Sequence, residues 1–360
     1  MEANPFLGVI LCGLGGLVSA GFYLPFRKVR RWSWETYWLA GGVVSWVLAP
    51  WILAGLLTAG LLGVLANIPA STLVWTYIFG VLWGIGGLTF GLTMRYLGIS
   101  LGIAVALGNC AVFGTLVPPV VDGTFGQLLA QRSGQVTLLG IAVCALGIVL
   151  AGAAGVSKES ELSTAQKKAA VSEFNLKLGL AVGVFAGVMS ACFAFGLHAG
   201  DPIKAYAVAH GTSALWQGLA VLVVVLAGGF TTNFIWCLIL NIRNKSYGEY
   251  LRVPEAKNEE EAKAGKPSLA ANYFFSGLAG LIWYLQFFFY TMGESQMGRY
   301  RFSSWTLLMA STIVFSTLLG IAVKEWRGVS RRTQFLLALT LVTLVGSTVI
   351  VGYGNYLGMT

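Results

Sequence analysis

The chain has 360 residues, of which 56% are hydrophobic and 10% charged, against about 25% charged in an ordinary soluble protein. A soluble globule of this size could not cover its exterior with so few polar side chains, and a sequence this rich in apolar residues is not disordered. The formal net charge of +9 lies between long apolar runs rather than in a basic, aromatic-interleaved soluble segment, so nucleic acid is excluded as a partner.

Apolar stretches of about 20 residues each mark a membrane-spanning helix. Ten are predicted, over 5–26, 38–60, 73–94, 97–117, 136–155, 178–198, 209–241, 270–291, 304–323 and 334–357. The seventh run is too long for one straight span, which predicts that its start at Ala209-His210-Gly211 is broken or outside the membrane. Cys12, Cys110, Cys144, Cys192 and Cys237 all fall inside apolar runs with no C-x-x-C spacing. Neither a disulfide framework nor a metal centre is expected from them, and no cofactor motif is present.

Lys and Arg set the orientation of such a chain. All of them except Arg132, Lys204, Arg299 and Arg301 lie in or beside the odd-numbered connections. Those connections are therefore expected in the cytoplasm and both termini on the periplasmic side. The first helix lacks a preceding positive cluster and is expected to be an uncleaved anchor.

Ten helices divide into two fives, and an odd unit repeated once must be inverted in the membrane. Gly16-Leu17-Val18-Ser19-Ala20-Gly21-Phe22 in helix 1 matches Gly187-Val188-Met189-Ser190-Ala191-Cys192-Phe193 in helix 6. Gly80-Val81-Leu82-Trp83 matches Gly280-Leu281-Ile282-Trp283, and Val112-Phe113-Gly114-Thr115-Leu116 matches Val314-Phe315-Ser316-Thr317-Leu318. The expected organisation is an all-α polytopic membrane protein of two inverted five-helix repeats, 1–160 and 178–360. A cytoplasmic linker at 161–177 would join them, and a solvated cytoplasmic loop would be inserted at 243–268. Inverted repeats are the architecture of alternating-access transporters, with substrate held near the midplane between them.

The motifs are specific enough to suggest a family. They comprise Gly21-Phe22-Tyr23-Leu24-Pro25-Phe26, Trp32-Ser33-Trp34-Glu35-Thr36 and Trp83-Gly84-Ile85-Gly86. Gly91-Leu92-Thr93-Met94-Arg95-Tyr96-Leu97-Gly98, Trp283-Tyr284-Leu285-Gln286-Phe287-Phe288-Phe289-Tyr290 and Lys324-Glu325-Trp326 complete the set. In this order over nearly the whole chain, they resemble the bacterial L-rhamnose–proton symporter family, a branch of the drug/metabolite transporter superfamily. The resemblance implies a bacterial inner-membrane importer that couples a 6-deoxy-hexose to protons.

A neutral sugar needs amides and hydroxyls for its own hydroxyls and aromatic faces for its C–H surfaces. Helix 8 offers Trp283, Gln286, Tyr290 and Glu294 on a half-polar aromatic stripe. Gln286, deep in an apolar run, is either a binding amide or an interhelical hydrogen bond. Asn109 in helix 4 and its repeat counterpart Ser311 in helix 9 carry the same two readings. Tyr23 can line a cavity or belong to the interfacial belt, and the repeat-related Trp83 and Trp283 can stack on sugar or pack the core. No Asp, Glu, Lys or Arg falls in the central third of a predicted helix, so a coupling proton must be carried nearer the outer ends. The candidates are His198, His210 and Glu294, while Asp122 and Asp201 read as solvated loop residues.

The expected activity is proton-coupled import of L-rhamnose by alternating access, with the sugar, the proton and the lipid bilayer as partners. A drug or metabolite exporter, a Na⁺-coupled sugar carrier or an uncoupled one are the alternatives on the same scaffold. An enzyme is not expected, because no nucleophile–base set or metalloprotease motif occurs.

Overall fold

A computed structural model describes residues 3–97, 99–161, 175–256, 259 and 267–359. Among them there is no strand, and ten helices are long and apolar enough to cross a membrane. We number these α1 (Pro5–Phe26), α2 (Trp34–Leu57), α3 (Ala70–Leu97), α4 (Ile99–Val121) and α5 (Arg132–Ser160). The second half contributes α6 (Leu176–Ala199), α7 (Leu219–Asn244), α8 (Leu269–Gln296), α9 (Ser304–Ala322) and α10 (Arg331–Leu357).

Several starts are fixed by side chains that satisfy the orphan N–H groups of the first turn. Asn4, Asn175, Ser268 and Ser330 accept from the backbone of Leu7, Leu178, Ala271 and Thr333. The exterior carries large apolar side chains such as Phe6, Leu56, Trp75, Phe274 and Phe335, each more than half exposed. A surface of that kind is a lipid-facing surface.

The break expected at the start of the seventh run is present, and the regular span begins later than residue 209. Gly200 ends α6, a short helix runs Asp201–Ala209, and a turn at Gly211 with φ +95° leads to a 3₁₀ turn at Ala214–Trp216. Regular α7 begins only at Leu219. A Cβ would be strained at that Gly211 backbone conformation, so glycine marks where the chain turns back.

The halves are not separate packing units. α1 lies against α8 and α9, and α6 against α3 and α4, while α2 touches α7 and α8, α3 touches α7, and α5 pairs with α10. Each of these pairings has a counterpart when every helix is exchanged for the one five places along. Two close approaches follow the same rule. A Cβ on Gly16 of α1 would collide with Ser311 of α9, and a Cβ on Gly187 of α6 would collide with Asn109 of α4.

Connections meet one another at each end of the bundle. At one end Ala59 N–H donates to Thr212 (3.0 Å), Asp122 meets His198 (3.0 Å) and Gly298 lies beside both Ala3 and Met359. This is the end of both termini. At the other, basic end, Glu249 accepts from Ser33 N–H (2.6 Å) and Ser33 Oγ (2.8 Å), and Asn272 is bonded to both backbone groups of Arg30. Glu161 accepts from Ser330 N–H (2.8 Å) and Oγ (2.6 Å), tying the end of α5 to the start of α10.

The loop expected to be solvated at 243–268 is only partly so among its described residues. Ser246 and Val253 are buried, Ser246 donates to the buried Glu35 carboxylate (2.7 Å), and Tyr250 lies near Trp32. Residues 257, 258 and 260–266 of that loop, 162–174 of the expected linker and Gly98 lie outside the described residues.

Candidate substrate and coupling site

A cavity of about 220 Å³ opens into the bundle at the end that holds both termini. Its walls come from the ends of α4, α6, α8 and α9 and from the connections 122–131 and 297–303. That volume is below the roughly 300–1,000 Å³ of sites for drug-sized ligands and suits a smaller solute. Trp305 at the start of α9 forms part of the floor, locked by an N–H donated to Cys110 O (3.1 Å) and set edge-on to Tyr290 at 5.5 Å. Tyr290 is 3% exposed, and its hydroxyl accepts from Ser304 Oγ at 3.3 Å. Gln127, Gln131 and Tyr300 supply neutral donors and acceptors from the connections that line the cavity, with Tyr300 Oη donating to Gln131 Oε1 (3.1 Å).

An ionic network closes one side of the cavity. His198, in the last turn of α6, holds Asp122 at the end of α4 through Nε2 (3.0 Å) and Asp201 through Nδ1 (3.1 Å). Asp201 also takes Lys204 Nζ (3.2 Å) and the Arg301 guanidinium. Lys204 in turn reaches both Glu294 oxygens, at 2.7 and 3.0 Å. Lys204 and Glu294 keep only 4% and 12% of their side-chain surface exposed, so these nearly buried charges offset one another, with Asp201 as the second partner of Lys204.

Three carboxylates thus face two permanent cations and one imidazole. The imidazole can donate to both of its carboxylates only when both ring nitrogens carry protons. That extra proton also balances the network. A reversible proton on a ring between two carboxylates, at the mouth of a cavity, is what the arrangement can provide chemically.

From the floor of the cavity a column of rings descends through the bundle. Trp305 stacks at 5.7 Å on Phe193, which lies 4.3 Å from Phe287. Phe287 contacts Trp83 (5.5 Å) and Trp283 (5.9 Å), and Trp283 contacts Phe22 at 4.4 Å.

The residues singled out from sequence separate into groups. Tyr290, His198 and Glu294 line the cavity. Trp83 and Trp283 belong to the ring column. Gln286 is buried at 4%, and its amide donates to Trp283 O (3.0 Å) in its own helix, away from the cavity. Asn109 donates to Val105 O (2.8 Å) and, like Ser311, packs against a glycine of a neighbouring helix. Tyr23 lies at the basic end, 47% exposed, with its hydroxyl 3.3 Å from that of Tyr37. His210 is exposed, stacks on Tyr206 at 3.9 Å and bonds its carbonyl oxygen, so it takes no part in the network.

Sequence reasoning missed Lys204, Arg301, Trp305, Gln127, Gln131 and Tyr300, and it read Asp122 and Asp201 as loop residues. A signal existed. The end holding both termini has few charges, and they are balanced in sign although the connections there are short.

The comparisons with known proteins agree with a transporter. Residues 1–357 match the family model described as L-rhamnose-proton symport protein (RhaT). The chain belongs to the L-rhamnose-proton symport protein family. Proteins named L-rhamnose-proton symporter from Klebsiella pneumoniae (strain 342) and Cronobacter sakazakii are 36% and 37% identical to it over 352 residues, 97% of each chain. One from Escherichia coli (strain SMS-3-5) is 36% identical over 349 residues, again 97% of each chain. The family is one of transporters, not of enzymes.

Proposed function

We propose that this chain imports L-rhamnose together with protons across a bacterial inner membrane. The observation that carries the reading is end-to-end similarity to proteins bearing that name, at 36% identity over 97% of both chains. The geometry supports it independently. The cavity offers an indole face, two carboxamides and two phenols, a set suited to a neutral polyol. Ionisable groups stand beside it in a balanced network that needs one exchangeable proton. In this reading sugar sits over Trp305 and Tyr290 and His198 carries the coupling proton. Displacing the proton or the sugar shifts the network that holds α4, α6 and α8 together.

The same proposal places the basic end in the cytoplasm and both termini in the periplasm, on the Lys/Arg asymmetry. The cavity then faces outward, with the ring column and the Glu249–Ser33 and Glu161–Ser330 ties closing the cytoplasmic side. Two inverted five-helix repeats, as in the drug/metabolite transporter superfamily, would supply the alternating movement. Two observations support that arrangement: the self-consistent exchange of helix pairings and the matching Gly16–Ser311 and Gly187–Asn109 approaches. The identical caps Asn4 and Asn175 stand at the same spacing as those glycines.

The test is uptake of labelled L-rhamnose by proteoliposomes under an imposed pH gradient, acid outside. Accumulation that survives removal of Na⁺ and collapses with a proton ionophore is expected. Accumulation that follows Na⁺ and ignores the pH gradient would overturn proton coupling, and transport of lipophilic compounds in place of sugars would overturn the substrate.

A further inference from the structure

Asp122 is placed by the way α4 ends. Its N–H donates to Pro118 O (2.9 Å), Gly123 turns the chain with φ +67°, and Thr124 N–H returns to Pro119 O (2.9 Å). A glycine in that conformation is a common device for ending a helix. The turn sets Asp122 in the lining of the cavity, beside His198. Within the ionic network it is the least engaged acid. Asp201 is shared by His198, Lys204 and Arg301, and both Glu294 oxygens take Lys204. Asp122 has His198 alone: Oδ1 meets Nε2 at 3.0 Å, and Oδ2 has no partner among the described residues. The side chain keeps 43% of its surface exposed, so the second oxygen is open to water or to a solute.

The neutral groups of the lining show the opposite balance. Gln127 Oε1 accepts from the Arg299 guanidinium (3.3 Å) and Gln131 Oε1 from Tyr300 (3.1 Å). Arginine can only donate, so its bond fixes which end of the Gln127 amide is spent. Both amide nitrogens are left without partners among the described residues. The amides therefore have hydrogens to give a sugar, and Asp122 has a charged oxygen to receive one. A hydroxyl donated to a carboxylate makes one of the stronger hydrogen bonds.

We propose that Asp122 links sugar to proton: one carboxylate oxygen holds His198 and the other accepts a hydroxyl of the sugar. The proposal rests on reading the chain as a proton-coupled sugar transporter. Loss of the imidazole proton removes the cation bonded to Asp122, whereas Lys204 and Arg301 still hold Asp201. A carboxylate no longer held must be ordered by the sugar itself, and that ordering costs affinity. By linkage, a sugar on Asp122 tightens the proton on His198 by the same factor, as carrying the two together requires. The charged groups around this pair are Asp201 and Lys204 beyond α6, Glu294 on α8, and Arg299 and Arg301 after α8. Lysine and arginine stay charged while an imidazole titrates, and Asp201 and Glu294 are each paired with a cation. His198 is therefore the group whose charge changes.

The test is equilibrium binding of labelled L-rhamnose to the full-length protein in detergent, between about pH 5 and 8. Wild type should bind about tenfold more weakly at the alkaline end. Asp122→Asn keeps the size of the side chain and removes its charge. It should bind about tenfold more weakly than wild type in acid and change by less than about twofold across the range. Wild-type affinity in Asp122→Asn, or a weakened affinity that keeps the wild-type pH slope, would overturn the link. If Asp122→Asn fails to fold, wild type decides with L-rhamnose analogues that each lack one hydroxyl. One analogue should bind weakly with a flat pH profile, and equal slopes for all of them would overturn the link. Wild-type binding that ignores pH overturns the link and leaves the sugar site standing. No binding of L-rhamnose at any pH overturns the sugar-transporter reading, and the link with it.

Discussion

The large cavity and the ring column below it differ in kind. The cavity is bordered by carboxylates, cations and an imidazole, with amides and phenols beside them, whereas the column is built of the rings of Trp305, Phe193, Phe287, Trp83, Trp283 and Phe22. Charge costs little where water reaches it and several kcal/mol per ion where it does not. An ion-handling site therefore belongs at the mouth, and a dry passage for a neutral solute can be built from aromatic faces. On this account the proton is bound and released at one end, and sugar alone touches the rings below.

Removing Asp201 should break the comparison most severely, since it joins His198, Lys204 and Arg301. Asp201→Asn is expected to reduce L-rhamnose uptake by about 100-fold or more, because two cations then share one fewer carboxylate in a partly buried site. Retained uptake would mean the network is ornamental.

Lys204→Met comes next. It leaves the nearly buried Glu294 unpaired and should destabilise the protein by about 3 kcal/mol, read as a lowered melting temperature in detergent. Lys204→Met with Glu294→Leu should recover much of that loss, as an apolar pair of similar size often does, while transport stays lost. Equal melting temperatures for all three proteins would show the pair to be screened.

Trp305→Leu sharpens the sugar side. Loss of one indole face is expected to raise the L-rhamnose KM about 3–10-fold, the worth of an aromatic contact. Gln286→Ala should by contrast leave the KM within about twofold, because its amide is spent on Trp283 O. A larger effect at Gln286 than at Trp305 would move the sugar toward the middle of α8.

The smallest effect concerns the basic end. Hydrogen bonds from Ser330 and Thr333 hold the Glu161 carboxyl below the ordinary glutamate range. A depressed folded-state value contributes stability above the unfolded pKa, and that contribution is lost as pH falls through the folded one. The α5–α10 tie should therefore weaken only in acid, and Glu161→Gln should show a melting temperature less sensitive to acid than wild type. An unchanged acid profile would assign the sensitivity elsewhere.

The spans and the basic end were legible in sequence because hydropathy and Lys/Arg position are local properties. The ionic network was not, because Asp122, His198, Asp201, Glu294 and Arg301 come from four separate stretches at helix ends. Asp122 and Asp201 alone resemble solvated loop residues, His198 and Glu294 stand out only as separate candidates, and only folding brings them to one mouth. Gln286 stood out in sequence by the cost of burying an amide, but the sequence did not show that this amide donates to a carbonyl three residues earlier and lies outside the cavity lining. The first regular turn of α7 could not be placed from hydropathy, because the apolar run starts at residue 209 while the Gly211 turn and the 3₁₀ turn at Ala214–Trp216 precede the helix.

The most direct test of the central claim is proton movement on adding L-rhamnose to proteoliposomes with no imposed gradient, followed by an internal pH dye. Wild type should acidify the interior in step with sugar entry. His198→Gln, which keeps a polar side chain but cannot take up the extra proton, should still exchange labelled sugar and give no acidification. Acidification by His198→Gln at the wild-type rate would contradict the account.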